Sequence, residues 1–109
     1  MTELHRRKCV PCEGDVTPLV PPEIEKFLKQ VPKWKMSEDG KGIWREFKFK
    51  DFQETMDFVE KIADVAEEED HHPDLHISYS LLRVELTTHA IGGLSENDFI
   101  LAAKIDKIW

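Results

Sequence analysis

The chain has 109 residues, 40% of them hydrophobic, enough for the core of one small domain. Its 15 basic against 22 acidic residues leave a formal charge of −7, which argues against a nucleic-acid backbone as the main partner, because that affinity rests on basic charge. No stretch approaches the roughly 20 apolar residues of a membrane span, and the opening MTELHRRKCVPCEG has no apolar run behind its positive charge, so it reads as a cytoplasmic protein without a secretory signal.

Residues 1–20 carry no periodic pattern and hold Pro11, Gly14 and Pro18, which predicts an irregular arm before a domain over 21–109. The arm contains one C-x-x-C, Cys9 and Cys12. Structural zinc usually takes four ligands and only His5 lies nearby as a third, while a redox pair normally sits between strand and helix rather than beside Pro11 and Gly14. It is read as a plain arm.

Pro21 and Pro22 suit a helix start, and Ile24, Phe27, Leu28 and Val31 form one apolar stripe that Pro32 ends. Trp34-Lys35-Met36 and Ile43 to Phe49 flank the turn SEDGKG and predict a hairpin. Asp51 reads as an N-cap with Glu54 reaching back, opening a helix to about Glu68 whose inner face is Phe52, Met56, Val59, Ile62, Ala63 and Ala66. After HHP, Leu75, Ile77 and Tyr79 alternate with polar residues, and so do Leu82, Val84, Leu86 and Thr88. Two strands with one buried face each are expected, joined tightly. Gly92-Gly93 breaks the chain, and Ser95 then caps a last helix, with Asp98 at its third position and Leu94 placed to staple against Phe99. The order α-β-β-α-β-β-α predicts an α+β two-layer sandwich, with three helices on one face of a four-stranded, mostly antiparallel sheet. The uncovered face or an edge strand must then meet water or another subunit.

Three of the five histidines, His71, His72 and His89, fall where this order makes them meet. If the last two strands form a hairpin, the start of the first and the end of the second lie side by side. Pro73 holds His72 extended and so gives the pair a direction. Imidazole, with an ordinary pKa of about 6.5, both gives and takes protons near neutrality, which suits general acid–base work such as loss of water. Glu67 and Asp98 are carboxylates that could orient the rings. Three histidines can also hold zinc or iron, but adjacent ones such as His71 and His72 diverge and serve one ion poorly. The plainer readings are that His71 and His72 answer the helix dipole, that Asp98 only caps, and that Glu67 belongs to a solvated face. Against the last, the run Glu67-Glu68-Glu69-Asp70 puts negative charge where the dipole disfavours it. His76 alternates onto a polar strand face, and His5 belongs to the arm.

Taken together, Glu67-x-x-x-His71-His72-Pro73, then Tyr79, then THAIGGLSENDF with His89 and Asp98, resembles the signature of the pterin-4a-carbinolamine dehydratases, over about residues 20–109. The resemblance implies a cofactor-independent hydro-lyase, with no metal, that converts a 4a-hydroxytetrahydropterin to the quinonoid dihydropterin and so recycles the cofactor of aromatic amino-acid hydroxylases. By the same resemblance His71 and His89 are the acid–base pair and His72 helps bind the pterin. Glu67 and Asp98 position the histidines, and the segments His71 to Pro73 and Thr88, His89, Ala90 and Ile91 line the pocket. A homodimer or homotetramer is implied, as are neither nucleic acid nor membrane as partner. Many members carry tryptophan two positions after the proline, where this chain has Leu75. The alternatives within the resemblance are a non-catalytic dimerisation or binding module and a role in molybdopterin metabolism.

Overall fold

A computed structural model describes residues 4–9 and 17–109. Cys12, Pro11 and Gly14 of the predicted arm lie outside the described residues. The elements are α1 (Pro21–Leu28), β1 (Lys35–Met36), β2 (Ile43–Lys48), α2 (Phe52–Glu69), β3 (Asp74–Ser78), β4 (Leu81–Leu86) and α3 (Glu96–Ile108), with 3-10 turns at Leu4–Arg6 and His89–Ile91. The four strands make one antiparallel sheet in the order β1-β2-β4-β3. This is the α+β sandwich that the order of elements predicts.

Alternation decides which face of the sheet is covered. Ile43 and Phe47 of β2 and Leu82, Val84 and Leu86 of β4 are fully buried and meet Phe58 and Ile62 of α2 and Phe99, Leu101 and Ile105 of α3 in one core. Arg45 shares that inner face, and its charge is met there by Asp106 of α3, which also accepts the Trp34 indole N–H at 2.9 Å. Aromatic rings close the far end: Phe47, Phe49 and Phe58 cluster around Trp109 with centroids 5.0–5.6 Å apart. On the outer face Arg83 lies 4.0 Å over the Trp44 ring.

Four local expectations need correction. α1 ends at Leu28, so Val31 is buried from the following turn instead of from the helix, as the residue before a proline avoids helical angles. The inner stripe of α2 is Thr55, Phe58, Ile62, Ala66 and Glu69, whereas Phe52 and Ala63 face solvent. The register is set by Thr55, whose hydroxyl donates to the Tyr79 carbonyl in the β3–β4 turn. The Asp51 carboxylate does cap Glu54 N–H, but Glu54 reaches back to Lys50 N–H, one residue before the cap. Finally, β3 has no buried face. It is an edge strand beyond the helices, leaving Ile77 and Tyr79 40% and 65% exposed, and only Leu75 packs partly on the core.

The described part of the arm is docked. Leu4 is buried in the core, Lys104 Nζ donates to the His5 carbonyl at 3.1 Å, and Arg7 pairs with Glu96. Among the described residues no helix is long and apolar enough to cross a membrane.

Candidate active site

Two chain reversals aim the histidines. α2 ends at Asp70, which takes the left-handed conformation (φ 52°) and returns its N–H to Ala66; His71 N–H also bonds Ala66. Asp tolerates this region better than most residues, and the turn sends His71 and His72 off the helix axis before Pro73 starts the path into β3. After β4 the chain pinches into a small loop, with Thr88 and Gly93 paired across its neck and the 3-10 turn His89–Ile91 inside it. Both glycines are needed: Gly92 has φ 67°, and a Cβ on Gly93 would come within 2.9 Å of Pro18.

Because β3 and β4 are antiparallel, with Asp74 opposite Glu85, these reversals lie at one end of the hairpin. Between them is a cavity of about 620 Å³ lined by His71, His72 and His89 together with Thr88, Ala90 and Asn97. Glu68, Glu69, Asp70, Thr87 and Cys9 complete its wall. That volume falls within the usual range of small-molecule sites, roughly 300–1,000 Å³.

The three imidazoles are held differently. His71 is nearly buried, and its Nε2 lies 2.6 Å from Oδ1 of the fully buried Asp98. Asp98 Oδ2 accepts the Thr88 hydroxyl at 2.8 Å and Ser95 N–H at 3.0 Å, and the Ser95 hydroxyl stands 2.7 Å from that of Thr88. Donors therefore surround the carboxylate. A neutral His71 must carry its proton on Nε2 to donate to it, which leaves Nδ1 with the lone pair. His72 turns the other way, to Glu67 Oε2 at 2.5 Å on the surface. The adjacent rings thus diverge to different carboxylates. His89 is 81% exposed, and its nearest carboxylate is Asp74 Oδ2 at 3.9 Å.

Of the remaining residues singled out in the sequence, Pro73, Ile91, Glu67 and Asp98 do not line the cavity; the last two touch it only through the histidines they bond. Thr88 does line it, but its hydroxyl is committed to Asp98. Tyr79 is in the turn at the opposite end of the hairpin, with φ 52°. Leu75, where the resemblance leads one to expect tryptophan, packs against the core and is not part of the lining. Sequence reasoning missed Asn97 and Glu69. The signal for Glu69 was its place in an acidic run at the wrong end of a helix dipole. His76 is on the outer face beside Glu85, at 3.2 Å. A second hollow, about 670 Å³, opens on that face around Trp44, Arg83 and Glu85 and contains no histidine.

Comparison with known proteins bears on the same region. The family model for pterin 4 alpha carbinolamine dehydratase matches residues 17–108. A protein of Nitrosomonas europaea, provisionally named a pterin-4-alpha-carbinolamine dehydratase, is 54% identical over 108 residues, covering 98% of this chain and 94% of its own. One of Halorhodospira halophila with the same provisional name is 47% identical over 105 residues, covering 96% of each. Among solved structures, a transcriptional coactivator/pterin dehydratase from Brucella melitensis superposes with a TM-score of 0.80 at 34% identity, over 84% of this chain and 98% of that one. A pterin dehydratase-like RuBisCO assembly factor of the alpha-carboxysome shares the fold, with a TM-score of 0.61 at 21% identity over 70% of this chain and 88% of its own. The chain belongs to the pterin 4 alpha carbinolamine dehydratase family.

Proposed function

We propose that residues 21–109 form a catalytic domain that dehydrates a 4a-hydroxytetrahydropterin to the quinonoid dihydropterin, without cofactor, by histidine general acid–base catalysis. The reaction loses one water. An imidazolium protonates the 4a-hydroxyl, the C4a–O bond breaks, and a neutral imidazole takes the N5 proton as C4a and N5 become doubly bonded. His71 and His89 are the acid–base pair, and His72 holds the pterin ring. Asp98 fixes the His71 tautomer and stabilises its imidazolium, in the manner of a carboxylate behind a catalytic histidine; Glu67 orients His72. Thr88, His89 and Ala90, which line the cavity, face the ligand, while Pro73 and Ile91 shape the segments that carry His72 and His89. The enzyme works in the cytoplasm, recycling the pterin spent by aromatic amino-acid hydroxylases, as a homodimer or homotetramer assembled through the open edge of β3.

The observation that carries this reading is that imidazoles from two distant segments border one cavity, one of them backed by a fully buried carboxylate. Buried carboxylates are rare unless their partners need them, and an orienting role for Asp98 supplies that need. The decisive assay follows carbinolamine decay by stopped-flow absorbance. Wild type accelerates it, and His71→Ala and His89→Ala each lose on the order of 10²-fold or more. Equal rates for all three proteins would leave only a binding module of the same fold.

A further inference from the structure

The acidic run at the end of α2 contains one buried residue, and the proposed chemistry does not use it. Glu69 is 8% exposed and points inward at the C-terminal end of a helix, where both burial and the dipole oppose a negative charge. Such a group persists only with close partners. It has two. Oε1 accepts the backbone N–H of Cys9 at 2.8 Å, and Oε2 lies 3.5 Å from Nζ of Lys104, itself mostly buried on α3. Lys104 also donates to the His5 carbonyl, and the Cys9 thiol stands 3.6 Å from the Asn97 carbonyl in the first turn of α3. The carboxylate thus joins the end of α2, the middle of α3 and the N-terminal arm. Two residues further on comes His71, and Cys9, Glu69, Asn97 and His71 all border the same cavity.

We propose that the arm forms one wall of the pterin cavity at Cys9, and that Glu69 is the positioning residue that fastens residues 5–9 there through the Cys9 amide and Lys104. The proposal rests on the dehydratase reading above. Its physical content is that the wall is held by one charge-assisted hydrogen bond and one ion pair, so loosening it widens the cavity without touching the proton-transferring rings. Ligand affinity falls while the chemical step is largely retained.

The test uses the full chain with Glu69→Ala and Glu69→Gln, read by steady-state kinetics, by dihydropterin binding and by amide hydrogen exchange. Glu69→Ala raises KM and the dihydropterin Kd about tenfold, roughly what one lost charge-assisted hydrogen bond is worth, and changes kcat less than about threefold. Exchange speeds up at the amides of residues 5–9, with α3 still protected. Glu69→Gln keeps an acceptor for Cys9 N–H but loses the charge facing Lys104, so it raises KM and Kd about threefold with faster exchange at the same amides, and it carries the test if the alanine variant does not fold. Unchanged KM and Kd in a variant whose arm amides exchange freely would overturn the proposal, as would arm amides that stay protected. If wild type itself gives no turnover, the dehydratase reading fails on its own, and the arm is then judged by the dihydropterin Kd alone: weakened in Glu69→Ala, it stands; unchanged or undetectable in every protein, it falls.

Discussion

At Asp98, substitution by asparagine separates geometry from charge. The amide has nearly the same shape, yet whichever side its NH₂ takes must face a donor: the Thr88 and Ser95 groups on one side or His71 Nε2 on the other. The Asp98→Asn variant should therefore force His71 into the other tautomer or leave a buried donor unmatched. We expect a loss of roughly 1–3 kcal/mol in urea unfolding and a fall in kcat of at least tenfold. A variant with normal kcat would reduce Asp98 to a helix cap. Thr88→Val should cost less, about 1 kcal/mol, because only one hydroxyl is removed from the network. At Glu85 the Arg83 guanidinium, then His76, holds the carboxyl below its usual range. A depressed folded value stabilises the protein above the unfolded value of about 4.3 and is lost as pH falls through the folded one. Glu85→Gln should therefore shallow the acid limb of stability below about pH 4, slightly, because this pair is open to solvent.

Among the elements, the end of α2 lends itself to a stability test. Asp70 sits at φ 52°, so Asp70→Gly relieves a conformation that costs an L-residue about 1 kcal/mol, whereas Asp70→Val aggravates it. Thermal midpoints should move in opposite directions. A rise with valine would mean that the left-handed turn is not what ends the helix. How much could be foreseen differs by element. β4 was legible because it is central: neighbours on both sides and helices above force strict alternation of Leu82, Val84 and Leu86. Leu75, Ile77 and Tyr79 show an equally regular pattern, yet strand order, which no local pattern encodes, puts β3 at the edge and leaves that face open, and Tyr79 falls in the turn beyond it. The face of α2 was misread by a fraction of a turn because the buried positions include Thr55 and Glu69, polar residues whose partners come from the β3–β4 turn and the arm. The histidine cluster could be anticipated, since one hairpin suffices to bring residues 71, 72 and 89 together. Asn97 and the arm could not, because their place at the cavity depends on packing between segments some 60 to 90 residues apart.

For the whole molecule, the open edge of β3 and the exposed site of His89 bear on assembly and catalysis respectively. The outer edge of β3, with Ile77 exposed, is the place where the proposed second copy would add its own strand. Ile77→Lys should shift sedimentation toward the monomer; an unchanged oligomer would move the contact elsewhere. A single ligand is expected to meet imidazoles that precede β3 and follow β4, and His89, so open to solvent, is the one whose contact most needs testing. The most direct measurement is a titration with dihydropterin followed in imidazole ¹⁵N spectra. His71, His72 and His89 should shift together at one ligand concentration while His76, on the outer face, stays still. If His71 and His72 respond and His89 does not, the shared site is contradicted.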